Sequence, residues 1–215
     1  MKILAISNLK GGVGKSTIAQ NLAAQFAEDG MKVCIADTDT EQKTSAKWAT
    51  LRDSSLVPIP VFTINPDKVS QEILSLKQKY ELVIVDGTPA LTELTTRIII
   101  LSDLVVVPIL PGGGDIWALE NFLERYQEAK VTKESYGGTV NIAVVVNRYS
   151  DRTTLDREVV SAIEDFDVTV LKTKLANRVS YREATIQGIS VHETKDDKAK
   201  QEIGELAKEI MALMK

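Results

Sequence analysis

The 215-residue chain contains one cysteine, one histidine, few aromatic residues (5%) and no surplus of basic charge. Each shortage excludes something. A lone thiol, Cys34, cannot build an internal disulfide framework, which fits a reducing cytoplasmic setting. It stands in the apolar run Val33-Cys34-Ile35-Ala36, where a buried structural thiol is expected rather than a reactive one. The single His192 has no cysteine or second histidine to share a metal with, so it is expected to be structural. Lys and Arg number 26 against 30 Asp and Glu, a formal charge of −4. Any binding of nucleic acid must therefore come from a local patch. No stretch approaches the roughly 18 to 20 unbroken apolar residues of a membrane span. The first residues run straight into an apolar segment, without the pattern of a signal peptide. What is present, 44% hydrophobic and 26% charged residues, suits a globular protein with a real core, expected as one domain over 1–215.

Short apolar runs alternate with longer amphipathic ones along the whole chain. Strands are expected at Ile3–Ser7, Lys32–Asp37, Pro60–Ile64, Leu82–Asp86, Leu104–Pro108, Asn141–Asn147 and Thr169–Thr173. Helices are expected at Lys15–Glu28, Glu41–Arg52, Asp67–Gln78, Thr92–Leu101, Ile116–Lys130, Thr154–Asp165, Tyr181–Gln187 and Ala199–Met214. Strand–helix alternation with almost wholly apolar strands is the pattern of an α/β fold. Its sheet is doubly wound and mostly parallel, with helices covering both faces. There is no internal repeat, low-complexity segment or linker.

The most informative stretch is Lys10-Gly11-Gly12-Val13-Gly14-Lys15-Ser16-Thr17, between the first strand and the first helix. Glycines let successive N–H groups turn inward as a nest for phosphate oxygens. The helix beginning near Lys15 adds its free N–H groups and the positive end of its dipole. Lys15 supplies a mobile cation, and the Ser16 hydroxyl is placed to ligate Mg²⁺, an ion that takes few protein ligands. Lys10 at the front of the loop reads equally as a solvated turn lysine or as something more. The second strand ends in Asp37-Thr38-Asp39, two acids at alternate positions that point the same way from a strand end. In this fold class the carboxyl ends of the strands form the ligand crevice. The fourth strand, Leu82-Val83-Ile84-Val85-Asp86, is an apolar run ending in an acid, a Walker B pattern in which Asp86 reaches Mg²⁺ through water. Gly87-Thr88-Pro89 follows as a segment that a triphosphate could order and hydrolysis release.

Further along, Pro108 to Pro111, Gly112–Gly114 and Asp115 read either as a permissive turn with Asp115 as N-cap of the next helix, or as a flexible wall of the site. Asn147-Arg148 ends the sixth strand, where an amide could read an adenine edge and a guanidinium could stack on the ring. Arg178, Arg182, Lys195, Lys198 and Lys200, with Lys172 and Lys174, gather positive charge in the last third. A solvated face is the ordinary reading of such a run. The final segment places Ile203, Leu206, Ala207, Ile210, Leu213 and Met214 at helical spacing. Its polar residues balance in charge, so it is expected to pack on the sheet rather than lie on a membrane.

Together these motifs resemble the ParA/MinD family of deviant-Walker ATPases, P-loop NTPases with a second lysine in the loop. Within it the chain looks most similar to the short ParA-type (ParF-like) partition ATPases. The resemblance rests on Lys10 to Thr17, Asp37-Thr38-Asp39, Val83 to Asp86, Pro108 with Pro111, and Arg178-Val-Ser-Tyr181-Arg182-Glu183-Ala184, and it spans essentially the whole chain. It implies an ATPase using ATP and Mg²⁺. Lys10 would reach the phosphates of a partner copy in a nucleotide-sandwich homodimer. Asp39 would orient the hydrolytic water, Asp37 and Asp86 would support the metal with Ser16, and Asn147 and Arg148 would face adenine. The resemblance also implies non-specific DNA binding by the ATP dimer, through the C-terminal basic residues. A cargo-bound centromere-binding or adaptor protein would stimulate hydrolysis, and the location would be nucleoid-associated. A low-copy plasmid is the leading cargo; a protein organelle or receptor array, and a MinD-type membrane role, are the alternatives. A small-molecule kinase is disfavoured because no substrate-binding insertion is visible. Two departures stand out. Thr40-Glu41-Gln42 replaces the usual Pro-Gln with an apparent extra residue, and no N-terminal DNA-reading extension is seen, so operator binding is not expected.

Overall fold

The computed structural model describes every residue except Ala90, Leu91 and 151–153, and leaves the side chains of 154–156 undescribed. Seven parallel strands form one sheet: β1 Lys2–Ile6, β2 Val33–Asp37, β3 Val61–Thr63, β4 Leu82–Asp86, β5 Leu104–Ile109, β6 Asn141–Val146 and β7 Thr169–Val170, in the order β3-β2-β4-β1-β5-β6-β7. Helices α1 Lys15–Glu28, α2 Thr44–Leu51, α3 Val69–Lys77, α4 Glu93–Leu101, α5 Gly113–Ser135, α6 Thr154–Glu164, α7 Val179–Gln187 and α8 Asp197–Leu213 link the strands and cover the sheet.

The apolar strands divide their side chains between two cores, because alternate residues of a strand face opposite ways. Leu4, Ile6, Ile35, Leu82 and Ile84 pack with α1, α2, α7 and α8 on one face. Ile3, Ala5, Cys34, Val83 and Val85 pack with α3, α4, α5 and α6 on the other. Cys34 is fully buried and its thiol is pushed up to about 12 by that burial, an unreactive structural thiol. On α8, Ile203, Leu206, Ala207 and Ile210 are buried against the first core, as their spacing anticipates.

Several boundaries differ from expectation, two of them where a carboxylate captures backbone amides. β7 stops at Val170 because the next free amides, of Lys172 and Thr173, donate to the Glu209 carboxylate on α8 (2.7 and 2.8 Å). α2 begins at Thr44, not Glu41, since the amides of Glu41 and Gln42 turn back onto Asp39 Oδ1 (3.2 and 2.9 Å). α3 is preceded by a 3₁₀ turn at Pro66–Lys68. α5 starts at Gly113, three residues early, and runs on to Ser135.

Position matters most at the carboxyl ends. β4 lies between β2 and β1, with Asp86 in register with Asp37 on one side and Ile6 on the other. The loop that leaves β1 therefore emerges beside Asp86, with Asp37 one strand further on.

Candidate nucleotide-binding site

The loop from Lys10 to Gly14 curls through two left-handed glycines, Gly12 (φ 74°) and Gly14 (φ 98°), a region that L side chains rarely adopt. Gly14 is required twice over, because a Cβ there would come 2.2 Å from Asn147 Nδ2. Gly87 is needed for a different reason: a Cβ would press on the Ile6 carbonyl at 2.9 Å and close the gap between the ends of β1 and β4. Val13 is buried beneath the loop. A recess at the loop is lined by Gly12, Lys15, Ser16, Thr17, Asp39 and Thr44, with Gly11 and Gly14 beside them. The N-terminus of α1 points into it, which suits an anionic group.

Lys15 is largely buried and donates to the Lys10 carbonyl at 2.9 Å. Burial lowers its pKa, while Asp86 and Asp39 pull it back up. Asp86 is fully buried and pushed up to about 7, by desolvation first and by the neighbouring Asp37 charge after it. Ser45 Oγ donates to its Oδ2 at 2.7 Å, and Ser16 stands close enough to favour the ionised form. The other oxygen, Oδ1, is buried and has no hydrogen-bond partner among the described residues. Asp37 is also raised, mainly by burial, although the amides of Ala46 and Asp39 donate to it at 2.9 and 3.1 Å. An unpartnered, buried carboxylate oxygen beside a hydroxyl is a donor set that fits Mg²⁺, a hard cation preferring oxygen. Among the described residues no cluster of three or more His, Cys, Asp or Glu forms a fuller cage.

Ser45 is a site residue that sequence reasoning missed. It is buried, accepts from Gln20 Nε2 at 3.3 Å and so ties α1, α2 and the end of β4 together. Nothing local marks it; it sits in the first turn of α2. The segment before α2 turns on Asp39, with Lys43 in the left-handed region (φ 51°) just ahead of the helix. Asn8 was missed as well. It is buried, donates to the Pro108 carbonyl at 2.7 Å and accepts from the Lys10 amide at 3.0 Å, fastening the start of the loop to β5.

Other residues lie elsewhere than expected. Asn147, read as an adenine contact, spends its amide on the loop: Nδ2 donates to the Val13 carbonyl at 2.8 Å and Oδ1 accepts the Arg148 amide at 2.9 Å. The cause is register, since the end of β6 reaches the level of Gly14. Arg148 is exposed, left-handed (φ 54°) and borders both the phosphate recess and a second recess next to it. Arg178, Tyr181 and Arg182 line that second recess beside Thr17 and Ile18. Arg178 does not belong to an open basic patch. Its guanidinium donates twice to Glu202 (2.9 and 2.6 Å) and lies 3.9 Å from Asp196. Lys200 pairs with Asp197 at 3.1 Å. Lys195 and Lys198 are exposed, interleaved with Asp196 and Asp197. Asp115 is not an N-cap; it lies inside the first turn of α5, 2.6 Å from Lys10 Nζ.

With this geometry in place, the comparisons are consistent among themselves. A model of the CobQ/CobB/MinD/ParA nucleotide binding domain matches residues 4–191. Maintenance of carboxysome distribution protein A of Halothiobacillus neapolitanus is 30% identical over 213 residues, covering 97% of this chain and 95% of that protein. The sporulation initiation inhibitor protein Soj of Bacillus subtilis is 25% identical, covering 87% of this chain and 88% of its own. Among solved structures, the MinD cell division protein of Aquifex aeolicus superposes with a TM-score of 0.80 at 17% identity, covering 99% of this chain and 97% of that one. The septum site-determining protein MinD of Pyrococcus horikoshii, solved with Mg-ADP, gives 0.77 at 21% identity, covering 97% and 95%. The seven-stranded parallel sheet with its phosphate loop is the fold these structures share.

Proposed function

The chain belongs to the CobQ/CobB/MinD/ParA nucleotide-binding family of ATPases, and from that premise we propose a positioning ATPase of one domain whose output is the ATP-dependent pairing of two copies. One observation carries the reading. Lys15 lines the phosphate recess and Lys10 does not; Lys10 sits at the rim, its side chain 41% exposed. A cation beside the recess but outside it would, in this reading, serve the phosphates of another copy. In this reading the loop amides and Lys15 hold the phosphates of the protomer's own ATP. Ser16 and Asp86 would hold Mg²⁺, with Asp37 supporting them. The ion, when bound, neutralises and orders the phosphate oxygens. Asp39 borders the recess and keeps one carboxylate oxygen on the turn amides, leaving the other to orient the attacking water.

The paired form would bind DNA without sequence preference and release it after hydrolysis, with a cargo-bound adaptor stimulating that step. Lys195 and Lys198, with Lys172 and Lys174, are the better candidates for phosphate contact, since Arg178 is held by Glu202. A protein organelle is favoured over a plasmid as cargo. The support is the 30% identical relative, whose name states a role in carboxysome distribution. A membrane role finds less support: α8 buries its apolar face against the sheet, and no described helix is long and apolar enough to cross a membrane.

Light scattering with ATP, ADP and no nucleotide, each with and without DNA, tests the proposal. Doubling of mass with ATP alone and DNA binding only in that state are expected. A protein that stays monomeric in ATP at every concentration would overturn the pairing; ATP-dependent liposome co-sedimentation would favour the membrane reading.

A further inference from the structure

Lys10 is not simply a mobile lysine at a loop tip. Its Nζ lies 2.6 Å from Asp115 Oδ2, and the Asp115 side chain is only 3% exposed. The carboxylate is fixed from behind, because its Oδ1 accepts the Leu110 amide at 3.2 Å. The rim around it is bare. Gly112 to Gly114 carry no side chains, and a Cβ on Gly114 would stand 3.7 Å from Lys10 Nζ. On the other side, the Lys10 peptide is pinned by Asn8 Oδ1 at its amide and by Lys15 Nζ at its carbonyl.

We propose that Asp115 is a positioning residue that latches Lys10 onto its own protomer and so sets how readily two copies pair. This rests on the pairing reading above and adds a threshold to it. A buried carboxylate that loses its cation is left uncompensated, so Lys10 leaves Asp115 only for a stronger anion. Phosphates of a nucleotide bound to a second copy are such an anion, and a triphosphate offers more charge than a diphosphate. The two lysines are linked. Phosphate entering the recess draws Lys15 off the Lys10 carbonyl, which loosens the latched residue when the site is filled. The latch thus taxes pairing in proportion to how rarely Lys10 is released.

Asp115→Asn keeps the shape and the acceptor for the Leu110 amide but removes the charge. With a non-hydrolysable ATP analogue, this variant should pair at a protein concentration at least about fivefold lower than wild type, a modest coupling. Asp115→Glu, which keeps the charge, should restore wild-type behaviour. In a Lys10→Ala background, where the buried Asp115 charge is left uncompensated, Asp115→Asn should raise the unfolding midpoint, whereas in the wild type it should lower it, a reversal that a merely structural role for Asp115 would not produce. Should Asp115→Asn fail to fold, NMR of the lysine ammonium protons in the wild type gives a second reading. Lys10 should show a slowly exchanging ammonium in the nucleotide-free protein and a different shift in the paired state. Wild type that pairs while Asp115→Asn pairs no more readily would overturn the latch alone, as would an unchanged Lys10 signal on pairing. Wild type that never pairs would overturn the pairing reading and the latch with it.

Discussion

The phosphate recess and the C-terminal basic stretch are both rich in lysine and arginine, yet they hold those charges in opposite ways. At the recess, cations and acids converge because parallel strands end at one level: Asp37 and Asp86 are in register, and the loop of Lys10 and Lys15 leaves the strand beside Asp86. Burial there leaves unmet demand, most clearly at the unpartnered Asp86 Oδ1. In the C-terminal stretch the demand is already met at Arg178 and Lys200. Arg178 is held by Glu202 and Asp196, and Lys200 by Asp197. A run of basic residues is therefore a weaker guide to a partner than a few groups whose burial leaves them unsatisfied.

The contrast can be broken by substitution. The largest effect is expected at the recess: Lys15→Ala should weaken ATP binding by at least about 100-fold, as removal of a buried charge-assisted contact would, read by titration with a fluorescent nucleotide. Unchanged affinity would show that the loop amides suffice. Next, Asp39→Ala should slow turnover by about 100-fold while the ATP-dependent pair persists in light scattering; wild-type turnover would remove Asp39 from the water's path.

In the C-terminal stretch, Arg178→Glu should cost about 1–3 kcal/mol of stability by setting a third acid against Glu202 and Asp196, and denaturant unfolding measures it. Lys195→Glu with Lys198→Glu should leave unfolding unchanged and flatten the salt dependence of DNA binding by about two counterions. If Arg178→Glu unfolds like wild type and alone abolishes DNA binding, the division drawn between the two regions is wrong.

The smallest expected effect is one of pH. Asp86 titrates near 7 in the folded nucleotide-free protein and near 3.8 as its reference value. Between those limits the folded state binds the extra proton, so stability should fall as pH rises from about 4 to about 7. Asp86→Asn should flatten that slope in thermal melts at a series of pH values; an identical slope would assign it to other groups.

Much of this molecule was legible before its coordinates. All seven strands are legible in the sequence: β1, β2, β4 and β5 read as apolar runs because they are buried on both faces, while the short edge strands β3 and β7 are partly exposed and stand out only by their place in the alternation; the loop and its acids follow from spacing. Boundaries were lost where a distant side chain intervened, as Glu209 does at the end of β7. Ser45 carried no signal, since a serine in an amphipathic helix is ordinary until Asp86 is set against it. Asn147 reads from the sequence as an adenine contact; its bond to the Val13 carbonyl carried no signal, because the two residues lie far apart in the chain.

The sequence by itself determined the sheet, the phosphate loop and the acids around it, because local spacing and strand-end position are enough to gather them. Only the tertiary structure decided which charges are spent. That Arg178 is neutralised, that Asp86 keeps an unsatisfied oxygen and that Lys10 is held by Asp115 all depend on contacts between residues far apart in the chain. Electrostatic energy is set by distance and burial, which a one-dimensional pattern does not contain.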